Sequence, residues 1–184
     1  MQVSSNRKGY VSHEGCDHIF FVGFLGAGKS TVARNLGRLF GRAYVDTDRL
    51  VELACHESVA QIYEAEGENA FRDAETVVLR GLARRKSLLV SCGGGIVERR
   101  ENGQLMAHMG TIVFLDGCLD DSLRQIRSLS RRPELTTLDD APALYEHRRP
   151  LYEAVADVTI SITGKTFDEV AQEAGCILWE RGLL

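Results

Sequence analysis

Five short apolar runs punctuate the chain: Ile19–Val22, Ala43–Val45, Leu88–Cys92, Thr111–Leu115 and Val158–Ile162. Each is too short for a helix and is followed by polar or glycine-rich residues, the pattern of a buried strand. Between the runs, apolar positions recur at helical spacing. Val32, Ala33, Leu36 and Leu39 follow the first run, and Leu50 to Ala54 follows the second. Phe71, Ala74, Val78 and Leu82 mark one buried face across residues 68–85, Leu123 and Ile126 follow the fourth run, and Leu144, Leu151, Tyr152 and Val155 precede the fifth. Val170, Ala174 and Leu178 close the series. Ser58-Val-Ala-Gln61 and Thr166-Phe-Asp-Glu169 have capping-box spacing, so helices start there. Pro142 suits a first helical turn, Gly41 and Gly67 read as breaks, and Pro150 predicts a kink or split in its helix. Strands alternating with helices require crossover connections, which gives an α/β fold: a three-layer α/β/α sandwich around a five-stranded parallel sheet.

Composition narrows this picture. A chain of 184 residues with 44% hydrophobic and 26% charged content suits one globular domain, here residues 18–184, after a short flexible polar tail expected at 1–17. The tail lacks the apolar segment of a secretory signal, and no run reaches the length of a membrane span. The net charge of −4 argues against a dedicated nucleic-acid binder and toward a small-molecule partner. Five scattered cysteines without a Cys-x-x-Cys pair fit reduced thiols, so the expected location is cytoplasmic, and a monomer is the expected state.

The chemistry concentrates where strands end. Gly23-Phe-Leu-Gly-Ala-Gly-Lys-Ser-Thr31 lies between a predicted strand and a predicted helix and has P-loop spacing. Glycines let the backbone N–H groups of Gly26, Ala27, Gly28 and their neighbours turn toward phosphate oxygens, Lys29 reaches the outer phosphates, and the Ser30 hydroxyl suits Mg²⁺. The bland alternative, a glycine-rich turn that binds nothing, does not explain the strand and helix on either side. Asp46 and Asp48 end the second strand at the edge where open α/β sheets bind ligands; one of the pair could simply cap the next helix. Gly93-Gly94-Gly95 ends the third strand and implies close approach to the backbone, for which a ligand is the favoured candidate. Arg72, from periodicity alone, reads as a surface arginine beside a buried face. Residues 128–140, with Arg131-Arg132-Pro133, read as a loop long enough to act as a lid.

Taken in order, Gly23 to Thr31, Asp46-Thr47-Asp48, Gly67-Glu68, Phe71-Arg72, Glu75, Gly93 to Gly95, Arg132-Pro133, Arg148, Pro150-Leu151-Tyr152 and Ala156-Asp157 resemble the shikimate kinase family of P-loop phosphotransferases. The resemblance covers nearly the whole chain from Ile19 onward. It implies transfer of a phosphoryl group from ATP to the 3-hydroxyl of shikimate, with Mg²⁺, in aromatic amino-acid biosynthesis. It assigns the substrate carboxylate to Arg72 and Arg148, orientation of these arginines to Glu75, the reacting hydroxyl to Asp48, and a neighbouring hydroxyl or the phosphate to Gly94 and Gly95. Tyr63 and Phe71 would wall the pocket, and Asp46 would act on Mg²⁺ beside Ser30. Thr31 completes the nucleotide loop, Arg127 would stack on adenine, and the turn from Gly164 to Phe167 would wall the base. Lys29 and a lid residue, Arg132, would stabilise charge on the transferred group. The implied lid is about 128–141 and the shikimate-binding subregion about 48–85. Glu134 stands where the family commonly has leucine, and the lid is slightly short. The alternatives are a kinase for another small hydroxy acid, such as gluconate, and a ligand-binding relative without turnover; no Asn-Lys-x-Asp guanine motif occurs.

Overall fold

The computed structural model describes residues 4–5, 11–12, 17–124 and 138–184. Five parallel strands form the central sheet: β1 (His18–Val22), β2 (Tyr44–Asp46), β3 (Leu89–Ser91), β4 (Gly110–Asp116) and β5 (Val158–Ser161), in the spatial order β2-β3-β1-β4-β5. Near the amino terminus, Ser4–Ser5 pairs antiparallel with Val11–Ser12. The helices are α1 (Lys29–Phe40), α2 (Thr47–Cys55), α3 (Val59–Gly81), α4 (Arg100–Met109), α5 (Leu119–Arg124), α6 (Ala141–Val155) and α7 (Phe167–Glu180). Among the described residues, no helix is long and apolar enough to cross a membrane.

Two-residue alternation along β1 divides the interior into two halves. Phe20 and Val22 face a core with Leu79, Val90, Met106, Phe114 and Tyr152, whereas Ile19 and Phe21 face one with Val32, Leu36, Val113, Ile160 and Leu178. Burial on both sheet faces accounts for continuous rather than alternating apolar strands. A third, smaller cluster of Val51, Ile62 and Phe71 holds α2 against α3. Register carries this packing to the functional edge: Ser91 pairs with Phe21 on one side and with Asp46 on the other, so the ends of β1, β2 and β3 open at one level.

The capping boxes at Ser58 and Thr166 are both formed, and Gly41 ends α1 in the left-handed region. Gly67 breaks the helical path inside α3 with φ 84° and ψ 176°, dividing it into the two segments predicted. Two expectations change. The apolar pattern gives no element for residues 100–109, yet α4 lies there; its inward face includes Asn102 and Gly103 beside Met106 and Met109, which dilutes the hydrophobic period. Pro150 does not split α6, which continues through it as one element. Contacts flank the proline: Arg149 pairs with Asp116 of β4 at 3.0 Å and, within the helix, with Glu153 at 2.8 Å, and buried Tyr152 stacks on Phe114. These contacts offset a lost backbone hydrogen bond and a ring clash that together cost about 3 kcal/mol.

Candidate active site

The P-loop leaves β1 through Gly23, Gly26 and Gly28, all with positive φ, and enters α1 at Lys29. Gly28 meets two demands at once, since a Cβ there would also fall 2.4 Å from the ring of Phe167 at the start of α7. Lys29 is buried and donates to the carbonyls of Gly23 (2.7 Å) and Phe24 (2.9 Å), which tie the ammonium to its own loop. Ser30 donates to Asp46 Oδ2 at 3.0 Å and lies 2.9 Å from the hydroxyl of Ser91. Asp46 is the helix cap that the sequence allowed, and it also turns an oxygen toward the P-loop. Its Oδ1 caps α2 by accepting from the N–H groups of Asp48 and Arg49, while its Oδ2 faces Ser30. Two hydroxyls and a carboxylate form an all-oxygen donor set suited to Mg²⁺.

Across the cavity, the glycine turn has a purpose beside the one expected. None of Gly93, Gly94 and Gly95 has a positive φ, so left-handed backbone is not the reason for them. Their hydrogens make room for the protein's own charged groups, while all three residues line the cavity. A Cβ on Gly93 would fall 2.2 Å from Asp48 Oδ1 and 2.9 Å from Glu75 Oε1, and one on Gly95 would fall 2.2–2.4 Å from the Arg72 guanidinium. At Gly94 the neighbours are Leu25 at 3.0 Å and Arg148 Nη1 at 3.5 Å. Two carboxylates and two guanidiniums thus converge on three consecutive residues. The turn is fixed by Thr47, whose hydroxyl accepts from Gly93 N–H at 2.8 Å, and by Tyr152, which donates to the Gly94 carbonyl at 2.5 Å.

Arg72 is 5% exposed. It pairs with Glu75 at 2.5 Å and Glu68 at 3.0 Å, donates to the Tyr63 hydroxyl at 3.1 Å, and lies 5.2 Å from the centre of the Phe71 ring. Burial works against its charge, but Glu75 more than compensates, and the guanidinium pKa is raised. Arg72 is therefore a fixed buried cation rather than a surface arginine. Arg148, 1% exposed, has a different carboxylate partner from the one implied. Glu75 pairs with Arg72, and Arg148 Nε donates to Glu98 at 2.7 Å. Arg148 Nη1 is buried and has no hydrogen-bond partner among the described residues.

One cavity of about 1010 Å³ joins the two walls. It is lined by Gly26, Gly28, Lys29, Ser30 and Thr31 on one side, and by Asp48, Tyr63, Phe71, Arg72, Glu75 and Gly93 to Gly95 on the other. Ala27 is buried and absent from the lining. Arg148 lines a second cavity of about 370 Å³, whose wall also includes Arg72. Phe167 lines the main cavity beside Gly28, where the base-walling turn was expected. Cys92 also lines it, but burial pushes its thiol well up, against a thiolate nucleophile. Arg127, Arg132 and Glu134 lie outside the described residues.

Sequence reasoning gave Thr47 no role of its own and missed Ser91 and Glu98. Thr47 and Ser91 did carry a signal, each being a hydroxyl at the end of a strand beside a residue already singled out. Glu98 carried none, because its value depends on a partner 50 positions away.

Phosphate-holding groups facing a wall of fixed charges across one cavity, at the tip of a parallel sheet of this order, define a P-loop phosphotransferase acting on a small anionic acceptor. A family model described as shikimate kinase matches residues 25–177. A shikimate kinase of Cupriavidus pinatubonensis is 40% identical, with 90% of this chain and 86% of the relative covered; one of Chromobacterium violaceum is 37% identical, with 79% and 81% covered. Shikimate kinase from Acinetobacter baumannii, solved in complex with shikimate, superposes with a TM-score of 0.84 at 33% identity, covering 89% of this chain and 93% of that one. The chain belongs to the shikimate kinase family.

Proposed function

We propose that this enzyme transfers the γ-phosphoryl group of ATP to the 3-hydroxyl of shikimate, giving shikimate 3-phosphate for aromatic amino-acid biosynthesis. The observation that carries the reading is the convergence of Asp48, Glu75, Arg72 and Arg148 on Gly93 to Gly95, across the cavity from Lys29. An acceptor with one carboxylate and several hydroxyls needs cationic forks at one end and an acceptor oxygen at the other. Guanidiniums pair with a carboxylate bidentately, whereas an ammonium is only a point charge.

Phosphoryl transfer depends on in-line alignment and on stabilising charge spread over the transferred group. Gly26 to Thr31 hold the nucleotide phosphates, and Lys29 supplies a fixed positive charge beside them. Asp48 orients the 3-hydroxyl and takes its proton as the oxygen attacks phosphorus. Arg72 and Arg148 hold the carboxylate, Glu75 fixes Arg72, and Tyr63 and Phe71 wall the ring. Ser30 and Asp46, with Ser91 adjoining, are the residues to hold Mg²⁺, which neutralises phosphate charge when bound. Arg127 at the base and Arg132 on a closing lid complete the site that the family pattern implies, in a cytoplasmic monomer.

The test is ADP release by purified protein with ATP, Mg²⁺ and shikimate, against gluconate and no-acceptor controls. Shikimate-dependent ADP supports the reading; release with gluconate alone, or none above the no-acceptor control, overturns it.

A further inference from the structure

Arg148 enters the site on α6, but its direction is set from outside the main cavity. Its Nε donates to Glu98 Oε1 at 2.7 Å, and the other oxygen of the same carboxylate, Oε2, receives His147 Nε2 at 2.8 Å. Glu98 closes the 3₁₀ turn Ile96–Glu98 directly after the glycines, and its own N–H bonds to the Gly95 carbonyl at 3.0 Å. The turn that seats Arg72 and Asp48 therefore also supplies the anchor for Arg148. Burial opposes ionisation of Glu98, but the hydrogen bonds from Arg148 and His147 outweigh it and hold its carboxyl below the usual range. An ionised carboxylate only accepts, so His147 Nε2 carries the proton in this contact.

A guanidinium is planar and rigid. With Nε committed to Glu98, rotation about the long side chain is removed, and buried Nη1 is left 3.5 Å from the Cβ position of Gly94, which lines the main cavity. Glu98 is 21% exposed and His147 61% exposed, so His147 braces the carboxylate from the solvent side.

We propose that Glu98 and His147 are positioning residues for substrate affinity: Glu98 aims the Nη1 corner of Arg148 at the acceptor pocket, and His147 holds Glu98 in place. The proposal rests on the reading of Arg148 as a carboxylate anchor. Both line the smaller cavity and neither lines the P-loop cavity, so both act on acceptor binding alone. An anchoring carboxylate also offsets part of the charge on Arg148, so there are two opposed effects with opposite signs in KM. Orientation dominates here because Nε and Nη1 occupy different corners of the guanidinium, and the incoming carboxylate does not displace Glu98.

The experiment measures steady-state ADP release at varied shikimate and varied ATP for the wild type, Glu98→Gln, Glu98→Ala, His147→Ala, the double variant Glu98→Ala/His147→Ala, and Arg148→Ala, with thermal unfolding of each. Glu98→Gln, which keeps the shape and loses the charge, is expected to raise KM for shikimate about fivefold to tenfold, the effect of weakening one charge-assisted hydrogen bond. Its kcat and KM for ATP stay near wild type, while the unfolding midpoint falls by a few degrees with the weakened ion pair. His147→Ala raises KM about twofold, and the double variant matches Glu98→Ala alone, because His147 acts only through Glu98. A lower KM in Glu98→Gln, additive effects of the two alanine variants, or equal changes for shikimate and ATP overturn the proposal. An unchanged KM in Glu98→Gln beside a large rise in Arg148→Ala overturns it while leaving the shikimate reading intact. Wild-type protein without shikimate-dependent ADP removes both.

Discussion

Replacing Gly95 with alanine adds one methyl group at a point already occupied by Arg72. Gly95 has φ −93° and ψ 7°, which alanine adopts, so the backbone raises no objection. The conflict is steric: the new Cβ would lie 2.2 Å from Arg72 Nη2 and 2.4 Å from Cζ and Nη1, against a normal separation of about 3.5 Å. The guanidinium has to retreat by more than about 1 Å, which takes it out of line with Glu75, fully buried and 2.5 Å from Nη1. Two effects follow. Misplacement of a substrate-holding group by about 1 Å can cost on the order of 100-fold, here in kcat/KM for shikimate. Breaking a buried ion pair costs about 3–5 kcal/mol when one partner is removed, and a displaced Arg72 sits at the low end of that range, near 3 kcal/mol. For a chain of this size that lowers the unfolding midpoint by roughly 6–12 °C. Steady-state kinetics, calorimetry and MgADP titration check the three consequences together, the last because the P-loop lies on the opposite wall and nucleotide affinity should hold. Wild-type KM for shikimate in Gly95→Ala would refute the argument, since either the turn yields easily or Arg72 is not an anchor.

Asp48→Asn keeps the shape packed on Gly93 but removes the proton acceptor; kcat should fall about 10²- to 10⁴-fold while MgADP affinity stays within about twofold, and parallel loss of both refutes the assigned role. Gly81→Ala, at a helical φ of −61° with nothing within 4 Å of the new methyl group, should stabilise the protein by about 0.4–1 kcal/mol in urea unfolding without changing activity. His18 is buried, with Nδ1 accepting from Leu88 N–H at 3.1 Å and Nε2 donating to the Leu82 carbonyl at 3.0 Å, and burial lowers its pKa. The unfolded chain takes up that proton more readily, so the contribution of His18 is full above about pH 6.5 and is lost as pH falls from there toward its lowered folded value. The stability gap between wild type and His18→Gln should therefore narrow as urea unfolding is repeated from pH 7.5 down to pH 5, and a constant or widening gap contradicts the neutral role.

What the sequence made legible was local. A strand of four or five apolar residues, a capping box and a glycine-lysine-serine loop each act within a few positions, and all appear where their patterns put them. Helix α4 was hidden because Asn102 and Gly103 serve tertiary contacts: Asn102 bonds the Ile96 carbonyl and the Thr76 hydroxyl, while Gly103 admits Val155. At the site, residue types were readable and partnerships were not. The glycine run announced a close approach but not whose, and Glu98 became visible only when folding brought α6 beside the glycine turn. Asp46 shows the same limit in another form, since one oxygen of its side chain caps α2 while the other accepts from Ser30.

The contact between Gly28 and Phe167 bears on the order in which the protein can become functional. β1 and the P-loop are made early, yet both strands that flank β1 come from much later in the chain, and the ring that rests on Gly28 belongs to the first turn of α7, the final element of the fold. The phosphate loop is thus written near the beginning and braced from near the end. A nascent chain therefore carries the complete motif before the helix whose ring rests on Gly28 has been made.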